Sequence, residues 1–410
     1  MDNLTHTLIG LAAGEGIARW TRVQPDGVDE RARRNALLVV GMVGGNLPDA
    51  DLLWSMQFAT GDRLAYLIEH RGYTHTLAGC VALALLLFAG AMAVLRWRGQ
   101  RISPPDAGLF AAMSLLAVML HLGMDALNEY GVHPFWPWNN RWYYGDTLFI
   151  VEPLCWLALA PLYFTLQTRA ARGLVGLALA AGCIAVLAFH GFRMVWWSLP
   201  VLTLLLLRGG RRLSPRWASL AAVALLLVVI GVFSVSHATV LRRVQVLAAS
   251  QFPGASLLDI VLSPAPAHPF CWDVMLLQRE DSDYVARLGQ LNLASDSGQA
   301  CSRSLNGGST APLRVMNRPV LSGMRWAGEY TMDIQALSRL VSGSCDARRL
   351  ASFMRAPFAA RSDKGWIIGD LRYDRESGPG FAELLVDPKA ASKCATDSPW
   401  TPPRSDLWVQ

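Results

Sequence analysis

Apolar residues come in long runs up to about residue 237, and polar residues return to an ordinary spacing after it. Runs of about 17–25 apolar residues can cross a bilayer as helices. The clearest are 76–95, 108–127 and 217–237. Segments 149–167 and 173–191 are good matches, and 194–207 is short, as for a tilted or half-buried helix. Two weaker segments precede them: 4–18, which contains Glu15, and 35–54, which carries Asp49 and Asp51 near its end. This pattern predicts an all-α polytopic membrane domain of about six to eight helices over residues 1–237. A small α+β extramembrane domain over 238–410 follows. There, 333–341 and 345–354 have helical spacing, and 365–373 and 381–386 read as strands with a turn at 376–380. The proline-rich stretch 263–269 reads as a loop. The N-terminus has no basic n-region and no early cleavage pattern, so it does not read as an ordinary signal peptide.

Loop charge sets the expected orientation. If all eight segments span, one set of loops carries fourteen arginines (within 19–34, 96–101, 169–172 and 208–216). The opposite loops carry four: Arg63, Arg71, Arg141 and Arg193. Basic loops stay in the cytoplasm, so both termini and the region from 238 onward are expected outside a bacterial inner membrane, in the periplasm. That region holds Cys271, Cys301, Cys345 and Cys394. In an exported domain these could form two disulfides, with three possible connectivities.

Composition agrees. Of 410 residues, 52% are hydrophobic and 17% charged, against about 25% charged in ordinary soluble domains. Mean hydropathy is +0.28. A disordered chain, a collagen-like chain and a small disulfide scaffold are excluded. The net charge of +6 would suit nucleic acid, but the basic residues sit in short clusters between apolar runs, which is the membrane pattern. No nucleic-acid partner is expected; the bilayer is. No C-x-x-C pair occurs among the seven cysteines.

The candidate chemistry lies in polar groups that interrupt the apolar half. Five of the eight histidines fall within the first 133 residues, in company with acids. The groups are His6; Asp49 and Asp51; Glu69, His70 and His75; His121 and Asp125; and Asp146 with Glu152. Ionisable groups at membrane helices are costly and usually functional. On the eight-span topology all five groups reach one face of the membrane. Imidazole and carboxylate together suit Zn²⁺, Mn²⁺ or Fe²⁺. His121 and Asp125, four apart, share one side of a helix. Pro48 places Asp49 and Asp51 on a turn or a fresh helix start. His70 and His75, five apart, need a bend at Gly72. Glu152 reads more plainly as a helix N-terminal acid, and His133, in an aromatic loop, as interfacial packing. The expected metal ligands are His6, Asp49, Asp51, His70, His75, His121, Asp125 and Asp146. Asp51, Glu69, Arg71 and Arg141 are the candidate catalytic residues, with Arg71 or Arg141 holding a phosphate.

Together MDNLTHTLIGLAAGE, NLPDAD, HRGYTHTL, HLGMDALNEYG and GDTLFIVEP resemble the YdjM/YbcI-like family, over the first 170 residues or so. The resemblance implies an inner-membrane, LexA-binding, metal-dependent hydrolase. The topology leaves only short arginine-rich loops to meet LexA. The order of the groups is also similar, more distantly, to zinc-dependent phospholipase C and related nucleases. That likeness implies His6, Asp49, His75, His121 and Asp125 as ligands. It departs after His121 and Asp125, where the next histidine, His133, is eight residues on in a Trp/Pro-rich loop. The expected function is therefore a metal-dependent hydrolase, zinc first, acting on a phosphoester or phosphoanhydride of a lipid or lipid-linked substrate at the outer face. The alternatives are an ion or metal transporter and a non-enzymatic membrane scaffold.

Overall fold

The computed structural model describes residues 1–55, 62, 64–190, 198–295, 309–374, 378–386 and 398–408, without the side chains of 189 and 190. Arg63, Arg193, Cys301, Cys394 and part of the expected turn at 376–380 lie outside the described residues. The chain forms two compact units, each assembled from separate stretches.

The first unit comprises Met1–Ala50, Tyr73–Trp136 and Leu148–Ser234. Among the described residues, four helices are long and apolar enough to cross a membrane: Leu77–Trp97, Pro104–Asp125, Arg169–Ala188 and Pro215–Gln251. A fifth candidate is the pair Glu30–Gly44 and Pro48–Ser55, bent by 50°. Asn3–Trp20 and Ser198–Arg212 are helical too. A helical membrane domain followed by a small α+β domain is thus what the chain forms. The starts are capped as local chemistry requires. Asp2 accepts from Thr5 N at 2.9 Å, and Thr76 from Gly79 N at 2.8 Å. Ser103 precedes two prolines that open the helix Pro104–Asp125.

One expected span runs the length of the first helix, with Ile150 O accepting from Asp2 N at 3.0 Å and Thr165 O from Arg19 at 3.2 Å, but it is not one continuous helix. Segment 149–167 folds as a short helix, Pro153–Leu157, and a 3₁₀ turn, Ala160–Leu162. Pro161 can supply no helical N–H. Trp156, Leu157, Leu159, Ala160 and Leu162 are buried inside the unit, so this apolar run serves protein packing. Hydropathy cannot tell such a run from a lipid-facing one.

The first two helices meet backbone to backbone. A Cβ on Gly10 would stand 2.0 Å from the Gly41 carbonyl oxygen, and one on Gly41 would stand 2.1 Å from that of Gly10. Gly10 and Gly14, and Gly41 and Gly45, repeat the small-xxx-small spacing of close membrane-helix contacts. Beside this seam Glu15, fully buried, takes Arg34 in a fork at 2.7–3.0 Å. Arg33 pairs with Asp106 at 3.2 Å. The acid that weakened segment 4–18 as a span is thereby paired, as a buried charge must be.

The second unit comprises Asp51–Gly72, Pro137–Thr147 and Val235–Gln410. Its larger sheet is antiparallel in the order β1-β2-β3-β5-β4, with β1 Ser256–Ala265, β2 His268–Glu280, β3 Asp283–Asn292, β4 Arg314–Val315 and β5 Met324–Asp333. A second sheet joins β6 Pro357–Ser362, β7 Gly365–Asp370 and β8 Glu383–Val386. The helices Ile334–Ser342 and Cys345–Ala351 fall where helical spacing placed them. The stretch 263–269 is not a loop. It is the end of β1, a two-residue turn at Pro266 and Ala267, and the start of β2, with Ala265 opposite His268. β1 is an edge strand, where the N–H that Pro264 lacks is tolerated. Buried arginines tie the separate stretches of this unit together. Arg355 bonds Asp146 at 2.8 Å and Asp259 at 2.9 Å, and Arg349 bonds Asp62 at 2.5 Å. The Trp142 indole donates to Ser352 O at 2.7 Å, and that of Trp400 to Ile68 O at 2.7 Å.

Candidate metal centre

Four of the expected ligands converge in the first unit. Asp49 sits on the 3₁₀ turn Pro48–Asp51, and His75 ends the 3₁₀ turn Tyr73–His75 just before the capping Thr76. His121 and Asp125 occupy successive turns at the end of the helix Pro104–Asp125. His75 Nε2 lies 2.9 Å from His121 Nε2, 3.3 Å from Asp49 Oδ1 and 3.3 Å from Asp125 Oδ2. His121 Nε2 lies 3.4 Å from Asp49 Oδ1 and 3.5 Å from Asp125 Oδ2. All four residues are buried, His75 and Asp125 completely.

This buried cluster can hold a metal ion. Ligand atoms about 2.0–2.1 Å from a tetrahedral ion stand about 3.3–3.4 Å from one another, by the geometry of the tetrahedron. The observed spacings centre there. The rings are also aimed. His121 Nδ1 is 2.7 Å from the Gly45 carbonyl oxygen, which can only accept. Nδ1 therefore carries the proton, and Nε2 presents its lone pair to the cluster. Thr74 Oγ1 holds Nδ1 of His75 at 3.0 Å. Two imidazole nitrogens and two carboxylate oxygens packed this closely need shared protons or a cation among them.

His6 adjoins the four. Its Nε2 is 3.2 Å from Asp125 Oδ1, and its ring stacks on that of His121 at 3.8 Å between centroids. The Met1 amino group also donates to Asp125. The glycine seam brings His6 here: a Cβ on Gly45 would stand 2.6 Å from the His6 carbonyl oxygen.

The remaining candidates, Glu152 apart, belong to the second unit. His70 Nδ1 and Asp51 Oδ1 pair at 2.8 Å, and Arg71 N donates to Asp51 Oδ2 at 3.0 Å. The chain bends at Arg71, with φ +63°, and not at Gly72. The bond from Arg71 N to Asp51 accompanies that conformation. Asp146, also at positive φ, gives its carboxylate to Arg355. Glu69 and Arg141 are exposed. Glu152 caps the helix Pro153–Leu157 through Leu154 N at 3.0 Å, the plainer role expected of it. Sequence reasoning passed over Gly45, Thr74 and Arg355. The paired G-x-x-x-G spacings were the signal available for Gly45; the other two are set by tertiary contact alone.

A multi-pass membrane protein with a buried His/Asp cluster at its helix ends is the class these features define. Residues 1–196 match the YdjM inner membrane protein family. The uncharacterized protein YfhP of Bacillus subtilis (strain 168) is 28% identical over 151 residues, covering 35% of this chain. That match spans 39% of the relative's own length. No solved structure matches the chain.

Proposed function

We propose that this protein is a metal-dependent hydrolase that cleaves a phosphoester or phosphoanhydride of a lipid or lipid-linked substrate at the outer face of the inner membrane. The observation that carries the reading is the convergence of Asp49 Oδ1, His75 Nε2, His121 Nε2 and Asp125 Oδ2 within 4.8 Å of one another. Two imidazoles and two carboxylates suit zinc first, then manganese or iron. A cation held there supplies Lewis acidity and draws the pKa of water toward neutrality. The rest falls to side chains. His6 flanks Asp125 and His121 and fixes their placement. Asp51 and His70 form an acid–base pair, and Arg71 is the cation for a phosphate oxygen. Glu69 and Arg141 are exposed candidates for the same tasks, and Asp146 is held by Arg355.

Two observations support an exported C-terminal region. Arginine is strongly biased to the opposite loops. Cys271 and Cys345 each take part in a disulfide, whereas Cys80, Cys155 and Cys183 in the membrane unit are free, and disulfides persist in oxidising compartments.

The test is metal content by mass spectrometry of protein purified in detergent without chelator, beside a His75→Ala/Asp125→Ala variant. Zinc, manganese or iron at one or more per chain, lost in the variant, is the expected result. Hydrolysis of phosphoester lipids should disappear with it. Absence of metal from both proteins after supplementation overturns the reading.

A further inference from the structure

A groove of about 540 Å³ runs between the helices Glu30–Gly44 and Leu77–Trp97, both within the first unit. That volume is in the range of small-molecule sites. Its walls are apolar: Val39, Val43, Leu86, Gly90 and Val94 line it. Leu77–Trp97 is the least buried of the four spans, with 17% of its apolar window covered by protein, so the groove opens toward lipid. From Leu86 to Leu95 the wall extends about 14 Å at ~1.5 Å per residue. That is close to one leaflet of a hydrocarbon core ~30 Å thick.

The groove has one polar end. Asn35, Arg98 and Gln100 line it there, on the arginine-rich side of the membrane domain. Arg98 is exposed, and Trp97 beside it is 84% exposed, the placing of an interfacial anchor. The nearby acids are engaged: Asp29 caps its helix at Ala32 N, and Asp106 takes Arg33. Gln100 accepts from Asp29 N at 3.0 Å through its carbonyl oxygen, which leaves its amide hydrogens for another acceptor. The interior end closes on Leu47. Gly90 leaves room, since a Cβ built on it meets nothing within 4 Å.

We propose that this groove binds one anionic phospholipid, with its phosphate at Arg98 and Gln100 and one acyl chain laid along the wall. The occupant follows from the chemistry. A site one leaflet long, apolar along its length and cationic at the interface matches a chain bearing a phosphate at its end. A free phosphate would leave the groove unfilled. The site is independent of the His/Asp cluster and of any reaction there.

Native mass spectrometry of the full chain from detergent, titrated with phosphatidylglycerol or phosphatidylcholine of equal chain length, tests the proposal. One phosphatidylglycerol per chain is expected, held at least several-fold more tightly than phosphatidylcholine. Arg98→Gln should weaken it about fivefold, the worth of one arginine near an anionic surface. Gly90→Leu fills the groove without a clash and should abolish retention with the melting temperature unchanged. Val39→Trp, from the facing wall, should do the same if Gly90→Leu fails to fold. Equal retention of the two lipids by the wild type overturns the proposal. So does undiminished phosphatidylglycerol binding by a folded groove-filling variant, which would leave a headgroup contact only.

Discussion

The Nδ1 of His121 donates to the Gly45 carbonyl at 2.7 Å, so one peptide group on a neighbouring helix decides which nitrogen of a buried imidazole faces the cluster. Gly45 also lies against the backbone of His6. A single glycine therefore fixes the tautomer of one candidate ligand and the approach of another. Groups that orient metal-bound histidines in this way tune affinity nearly as much as the ligands themselves.

Thr74 provides a test of that orientation at His75. Thr74→Val keeps the shape and removes the hydroxyl at 3.0 Å from Nδ1. Metal affinity is expected to fall about 10–100-fold, with the helix Leu77–Trp97 still formed. Competition against a chromophoric chelator measures it; an unchanged affinity would show that Thr74 has no part in setting the ring.

The glycine seam should tolerate no side chain. Gly41→Val forces a Cβ to within 2.1 Å of backbone, and overpacking of this kind costs about 1–3 kcal/mol or more. The melting temperature should drop and bound metal should be lost with it, because His6 and Gly45 move together. Gly16→Ala is the control, since a Cβ there meets nothing within 4 Å. It should be neutral or stabilising by up to about 1 kcal/mol.

Arg372 is fully buried and forks onto Asp370, with Nη2 at 2.8 Å from Oδ2 and 3.0 Å from Phe353 O. Arg372→Met strands a buried carboxylate and should destabilise the second unit by about 3–5 kcal/mol. Adding Asp370→Asn should recover part of the loss. Thermal unfolding of the full chain followed by near-UV dichroism would separate the two; equal melting temperatures for the single and double variants would refute the charge argument.

Acid should loosen the same unit through Asp259. Burial raises its carboxyl, but the Arg355 charge and hydrogen bonds outweigh that and hold it below the usual aspartate range. A folded-state value below the unfolded one means the contribution is complete above the unfolded pKa. It is lost as pH falls through the folded one. Stability should therefore fall below about pH 4, and Asp259→Asn should be less stable at neutral pH with a shallower acid decline. Melting temperatures from pH 7 to pH 3 would show it; parallel curves for the two proteins would exclude Asp259 as the source.

Much of the candidate site was legible in order but not in grouping. Spacing of four placed His121 and Asp125 on one helix side, and Pro48 placed Asp49 on a turn; both hold. Nothing in the chain order separates Asp49, which faces His75 and His121, from Asp51, which pairs with His70. Nor does local sequence give Asp146 its arginine, since Arg355 lies 209 residues away.

The sequence by itself determined a helical membrane half, an α+β half after it, and polar groups gathered toward helix ends. Hydrophobic periodicity and the cost of charge in a bilayer are local properties, written residue by residue. Tertiary structure alone decided that segment 149–167 is a buried run of short helices beside the first helix and that four particular side chains converge. It also decided that the stretches Asp51–Gly72 and Pro137–Thr147 join the second unit. Each depends on which distant backbone or charge a residue meets, and burial, pairing and close glycine contact arise only when the helices and sheets are packed.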